Sequence, residues 1–149
     1  MLGELNDVEI KNILSSQVVG RIACTDGVHP YIVPVTYTYD GQYIYGQTTA
    51  GKKLDMLRKN PNVCFEIDLM IDMRNWQSII VYGKFEEMSN TDATKVRQIL
   101  YDRIFSLSAS TTVHSFGEEP VQKIEEGGKA LPVLYRISIS KITGRFEKL

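Results

Sequence analysis

The stretch Tyr31-Ile-Val-Pro-Val-Thr-Tyr-Thr-Tyr-Asp-Gly-Gln-Tyr-Ile-Tyr-Gly-Gln47 decides the fold. Two runs rich in Tyr, Val, Ile and Thr flank Asp40-Gly41, a dipeptide suited to the tight turn of a β-hairpin. With a two-residue turn, Tyr39 faces Gln42, Tyr37 faces Ile44, Val35 faces Gly46, Thr36 faces Tyr45 and Pro34 faces Gln47. Side chains alternate between faces, so Val33, Val35, Tyr37 and Ile44 form one surface suited to an interior. Ile32, Pro34, Thr36, Thr38, Tyr43, Tyr45 and Gln47 form the other, which suits a planar aromatic ligand or a partner subunit. Pro34 gives no donor to a ladder, so its strand is expected at a sheet edge with main-chain groups open on one side. A proline that guards an edge against aggregation would sit in the same place.

On the N-terminal side, Asn6 and Glu9 have capping-box spacing ahead of Val8, Ile10, Ile13 and Leu14, which predicts a short amphipathic helix. The β-rich runs Val18–Thr25 and Tyr31–Tyr39 flank Asp26-Gly27, a further hairpin. On the C-terminal side, Tyr43 to Arg58 reads as a strand delivering into a helix whose first turn carries Lys52 and Lys53. The first N–H groups of a helix lack internal partners and sit at the positive end of its dipole, so this is an anion site in outline. A solvated basic turn would look the same. Asn60-Pro61 stops that helix. Strands are expected over Asn62–Leu69 and Trp76–Glu86, then a helix capped within Ser89–Asp92 and running to about Phe105. A loop is expected over Ser106–Gly128, and a last strand or pair of strands over Pro132–Glu147. Six or so strands joined mostly by tight turns predict a mainly β chain, an antiparallel barrel with helices packed outside, in one domain over residues 1–149.

Composition excludes several classes. A formal charge of -1 over 149 residues and a pI near 6.1 provide no broad basic field, so nucleic acid is not an expected partner. No apolar run is long enough to cross a bilayer, and Met1–Asp7 lacks the basic start and apolar core of a signal peptide, so a cytoplasmic protein without membrane contact is expected. Cys24 and Cys64 sit apart in apolar runs and read as two buried thiols. His29 and His114 have no neighbours at ligand spacing, so no metal is expected. The chain has neither GxGxxG nor GxxxxGK[ST] and no βαβ rhythm.

Taken in order, Val19-Gly-Arg-Ile-Ala-Cys24, Pro30–Tyr37, Asp40–Gly46, Gly51-Lys-Lys-Leu-Asp-Met-Leu57, Asn60-Pro-Asn-Val-Cys-Phe-Glu66, Trp76–Lys84 and Ile142-Thr-Gly-Arg-Phe146 resemble the FMN-binding split-barrel superfamily. Within it, the resemblance is to the pyridoxamine 5′-phosphate oxidase-like branch that includes nitroimidazole-resistance reductases. It implies a homodimer of six-stranded antiparallel split β-barrels with FMN at the subunit interface. By carry-over, Lys52 and Lys53 hold the phosphate. Val33, Pro34, Val35 and Thr36 lie along the flavin ring, with main-chain contacts from Val33 and Val35. Gly46, Gln47 and Thr48 line the ring or the ribityl chain, and Ser78 reaches the cofactor from the long strand with Trp76 nearby.

Two departures narrow the activity. The Trp- and Arg-containing C-terminal segment of authentic pyridoxamine 5′-phosphate oxidases is not reproduced by Arg136 and Arg145, so oxidation of the vitamin is not expected. Tyr45 stands where nitroimidazole-resistance relatives commonly carry a His, although a Tyr hydroxyl can still donate a hydrogen bond. The expected activity is an FMN-dependent oxidoreductase moving electrons from NAD(P)H to a small-molecule acceptor, with no catalytic side chain assigned. A flavin-binding carrier or sensor, or a cofactor-free dimeric module, remain alternatives, and other branches of the superfamily use deazaflavin or haem.

Overall fold

The computed structural model describes residues 1–108 and 132–149. The elements run β1 (Leu2–Glu4), α1 (Asp7–Ser16), β2 (Val19–Thr25), β3 (Pro30–Thr36), β4 (Thr38–Tyr39), β5 (Tyr43–Thr48), α2 (Lys52–Lys59), β6 (Asn62–Asp72), β7 (Asn75–Glu87), α3 (Asn90–Ser108) and β8 (Val133–Glu147). One curled antiparallel sheet contains all the strands, in the order β3-β2-β6-β7-β8-β5-β4, with β1 added to the end of β8. The mainly β split-barrel architecture matches the sequence expectation.

The strand count is eight rather than six. The main-chain N–H of Tyr37 donates to Val18 in register with the β2–β3 ladder, and beyond it the two-residue β4 changes partner and pairs with β5, which separates it from β3. The three-residue β1 was not legible because so short an acidic segment has no periodicity of its own; β8 templates it through Leu2–Glu147 and Glu4–Arg145 pairing. The last segment is a single strand of 15 residues that pairs with β5, β7 and β1 in turn. Its register slips beside Gly83, where a Cβ would collide with the Ser138 carbonyl.

Local chemistry explains the elements. The Asn6 side chain accepts from Glu9 N–H at 2.9 Å and the Glu9 carboxylate accepts from Asn6 N–H at 2.9 Å, closing the capping box of α1. Asp26 accepts from the amides of Val28 and His29, and Gly27 takes φ 98° in the β2–β3 turn.

The second hairpin departs from its expected register. Thr38 pairs with Tyr45 and Tyr39 with Ile44, two residues from the two-residue-turn alignment. The Asp40 carboxylate accepts from the amides of Gln42 and Tyr43 at 2.8 and 2.7 Å, which holds a wider loop. Because the slip is an even number of residues, every side chain keeps its face. Tyr37 and Ile44 are accordingly 1% and 0% exposed, while Ile32 is 63% exposed.

Tyr37 packs edge-on against Phe65 and donates its hydroxyl to the Leu14 carbonyl at 2.7 Å, tying α1 to the barrel interior. Ala93, Val96 and Leu100 of α3 form a smaller cluster with Leu134. That helix runs to Ser108, past the expected end near Phe105; the rest of the loop expected over Ser106–Gly128 lies outside the described residues. Of the two thiols, Cys24 is buried and Cys64 only half-buried, because Cys64 faces outward on β6.

Candidate functional site

The sheet begins at β3 and finishes at β5 and β4, so these strands form the two banks of a seam. β3 is laddered to β2 alone and β5 to β4 and β8, and no ladder joins β3 to β5. The expected pairs Val35–Gly46, Thr36–Tyr45 and Pro34–Gln47 therefore do not form. What stands in their place is the open edge that Pro34 implied. Val33 and Val35 pack against the core, whereas Pro34 is exposed and Thr36 half-buried. On the opposite bank Gly46 and Thr48 are buried and Gln47 is half-buried. A Cβ on Gly46 would strike the Tyr135 hydroxyl, so this position admits only glycine without repacking.

The cationic end of the seam is α2. Leu54, Met56 and Leu57 bury one side of this helix, and Gly51 precedes it without a side-chain cap, which leaves its first amides available. The Lys52 ammonium lies 5.6 Å from the centroid of the Tyr31 ring, across from the N-terminal end of β3. Lys53 is partly withdrawn from water, and this desolvation lowers its pKa against the opposing influence of the Cys24 thiol. Neither lysine forms an ion pair with a carboxylate among the described residues. Two cations, the uncapped amides of α2 and an aromatic ring thus gather at this end of the seam, an arrangement that would stabilise an anion.

At the other end, the Tyr45 hydroxyl donates to Asp40 Oδ2 at 2.6 Å. Desolvation and this bond push the Tyr45 pKa up to about 12. Burial would raise Asp40, but the hydrogen bonds from Tyr45, Tyr43 and Gln42 outweigh it and leave its pKa lowered. The donor capacity that Tyr45 could have offered in place of a His is already committed, and in this geometry its oxygen is free only to accept. A groove of about 510 Å³ adjoins it, lined by Thr38, Tyr45, Met88, Lys95, Ile99 and Arg136. The Arg136 guanidinium stacks 4.2 Å from the Tyr43 ring centroid while its Nε donates to Glu86 at 2.7 Å.

Ser78 and Trp76 are not at the seam. They lie on β7, three strand spacings from β3, or about 14 Å at ~4.8 Å per strand. Ser78 donates to Glu66 Oε1 at 3.3 Å, and Trp76 Nε1 donates to Glu147 at 3.1 Å beside a cleft of about 320 Å³. The expected site residues therefore divide into a seam group (Val33–Thr36, Gly46–Thr48, Lys52 and Lys53) and a sheet-face group (Trp76 and Ser78). Within one chain the fold does not bring the two groups together. Sequence reasoning passed over Tyr31, Arg21 and the Asp40–Tyr45 bond. Arg21 could have been found from the first hairpin, whose register sets it opposite Pro34.

Comparison with known proteins agrees with this architecture. The family described as pyridoxamine 5′-phosphate oxidase matches residues 6–146. An uncharacterized protein of Rhizobium meliloti (strain 1021) is 28% identical over 141 residues, covering 92% of this chain and 89% of the relative. The crystal structure of a FAD-binding protein from Mesorhizobium loti superposes with a TM-score of 0.75 at 27% identity, covering 100% of this chain and 98% of that one. A candidate 5-nitroimidazole antibiotic resistance protein from Bacteroides thetaiotaomicron shares the fold, with a TM-score of 0.71 at 17% identity over 98% of this chain and 87% of its own.

Proposed function

The chain belongs to the pyridoxamine 5′-phosphate oxidase-like family, and from that premise we propose that it is a homodimeric, FMN-dependent oxidoreductase that passes electrons from NAD(P)H to a small-molecule acceptor. The observation that carries this reading is the open seam with a cationic end, since a flavin mononucleotide needs a flat wall beside free main-chain groups and a phosphate anchor at one end. The similar Mesorhizobium loti protein, described as FAD-binding, supports a flavin.

The residues present fit the smaller cofactor. Lys52, Lys53 and the uncapped amides of α2 would neutralise the phosphate. The register that the Tyr37–Val18 bond continues turns the main chain of Val33 and Val35 into the β2 ladder, so the edge-facing groups of Ile32, Pro34 and Thr36, rather than the expected ones of Val33 and Val35, would orient the ring from one bank. Gly46, Gln47 and Thr48 would do so from the other, with glycine at position 46 leaving room for the buried Tyr135 ring behind that bank. When bound, FMN supplies hydride and electron transfer, so the chain needs no nucleophile of its own. The Tyr45 oxygen, its proton held by Asp40, would accept a hydrogen bond from an acceptor molecule in the adjoining groove.

A second copy is the natural source of Ser78 and Trp76. On the ladder register, Leu2, Val19, Ile32, Met70 and Tyr82 all project from the outer face that bears them, at 69%, 41%, 63%, 66% and 43% exposure. So much exposed apolar surface on one sheet face marks an association surface.

The test is a visible spectrum of protein incubated with FMN and freed of excess, followed by anaerobic addition of NADH or NADPH. A flavin spectrum that bleaches supports the reductase. A retained flavin that no nicotinamide reduces would favour a carrier, and failure to retain FMN would overturn the assignment. Lys52→Ala/Lys53→Ala should weaken FMN binding by about 1–3 kcal/mol, roughly 5- to 150-fold in Kd by titration, the scale of charge-assisted hydrogen bonds.

A further inference from the structure

The outer face of the sheet carries, amid its exposed apolar side chains, a compact cluster whose charged members, Arg21, Glu66 and Asp68, the flavin reading does not use. Arg21 on β2 pairs in register with Pro34 on β3 and Glu66 on β6. Its Nη1 lies 3.7 Å from Glu66 Oε2 and 3.5 Å from Asp68 Oδ2. Glu66 and Asp68 are two positions apart on one strand, so both carboxylates stand on the same face and both reach the same guanidinium. From β7, Ser78 donates to Glu66. β3 contributes only Pro34 at this row, and the next charge along the Ser78 row is Arg145 on β8. One guanidinium thus faces two carboxylates, and the side chains are already partly covered, at 39%, 27% and 36% exposure for Arg21, Glu66 and Asp68.

We propose that association of two copies through this face takes up protons at the Glu66–Asp68 pair, so that acidification tightens the dimer. This rests on the homodimer reading above and adds what regulates it. Covering the face removes water from a cluster with one negative charge in excess. Desolvation penalises that charge, and an isologous contact between identical patches brings two such clusters toward each other. A single proton held between the two carboxylates leaves each cluster neutral, with Arg21 matched by one remaining charge. Within the single protomer the direction is already set: burial and then the neighbouring Asp68 raise the Glu66 pKa, despite Arg21 and Ser78.

The sign follows by linkage. Glu66 binds its proton more tightly in the assembled form than in the free protomer, so the gain in association appears as pH falls through the assembled value and saturates below the free one. The cysteine on the same strand, Cys64, has its own pKa raised by burial and by Glu66, and stays protonated throughout that window.

The experiment measures the dimer dissociation constant of FMN-incubated full-length protein by sedimentation between pH 5 and pH 8. His29→Asn/His114→Asn serves as the background, to remove imidazole titration. The expected result is at least tenfold tighter association at pH 5. Glu66→Gln should reduce the pH effect to less than threefold and associate at pH 8 as tightly as the background does at pH 5. Asp68→Asn should act in the same direction, since either carboxylate can hold the shared proton. A full pH slope retained in both variants overturns the proposal, as does a dimer whose affinity is flat with pH in the background. A monomer at every pH would instead overturn the homodimer reading itself.

Discussion

On strands β2, β6 and β7 the alternation of side chains produces two surfaces from the same backbone. The inner one presents Ile22, Phe65, Ile67, Ile79 and Val81, each 0% exposed. The outer one presents Val19, Met70 and Tyr82 at 41%, 66% and 43% exposure around the Arg21–Glu66–Asp68–Ser78 cluster. The inner face is a closed packing problem, solved within one protomer by α1, α2 and the curl of the sheet. On the outer face these apolar side chains have no covering element among the described residues. The contrast teaches that the interior carries the packing of this barrel while the exterior, which also bears Ser78 and Trp76, is the surface on which the proposed association would act.

Substitutions on the two faces should separate these roles. Phe65→Ala attacks the interior where Phe65 meets Tyr37 and covers Gly20, and should destabilise the fold by about 3–5 kcal/mol in chemical denaturation. A loss below about 1 kcal/mol would mean that this interior is loosely packed. Tyr37→Phe keeps the ring but deletes the hydroxyl that satisfies Leu14, and should cost about 1–2 kcal/mol by the same measurement. An unchanged midpoint would show that the α1 tie is dispensable. Ile32→Lys on the outer face should alter the intrinsic stability of the protomer by about half a kcal/mol or less. It should nonetheless convert a dimer to a monomer in sedimentation, and large unfolding by this variant would place Ile32 in an interior and erase the contrast.

The order of elements was readable because each carries its own local chemistry. The capping box at Asn6, the Asp-Gly turns and Asn60-Pro61 mark boundaries within a few residues of where they fall. The interior face of the second hairpin was also readable, and it survived a register error because an even slip preserves parity. The error arose at Asp40, whose side chain competes for the turn amides in a way that a dipeptide signal does not reveal. The lysine pair was legible at the start of a helix, which is where the structure places it. The separation of Ser78 from the seam was not, because distance across a sheet depends on strand order.

By itself, the sequence determined the alternating faces, the helix at the cationic turn and the edge position of Pro34, all of which follow from backbone sterics and side-chain periodicity within a few residues. Only the tertiary structure decided that β3 and β5 meet without a ladder, that β8 recruits β1, that the Tyr45 hydroxyl donates a hydrogen bond to Asp40, and that Arg21 stands between two carboxylates. These depend on which distant segments share a sheet and in what register, a choice made by burying the whole inner face at once rather than by any local signal.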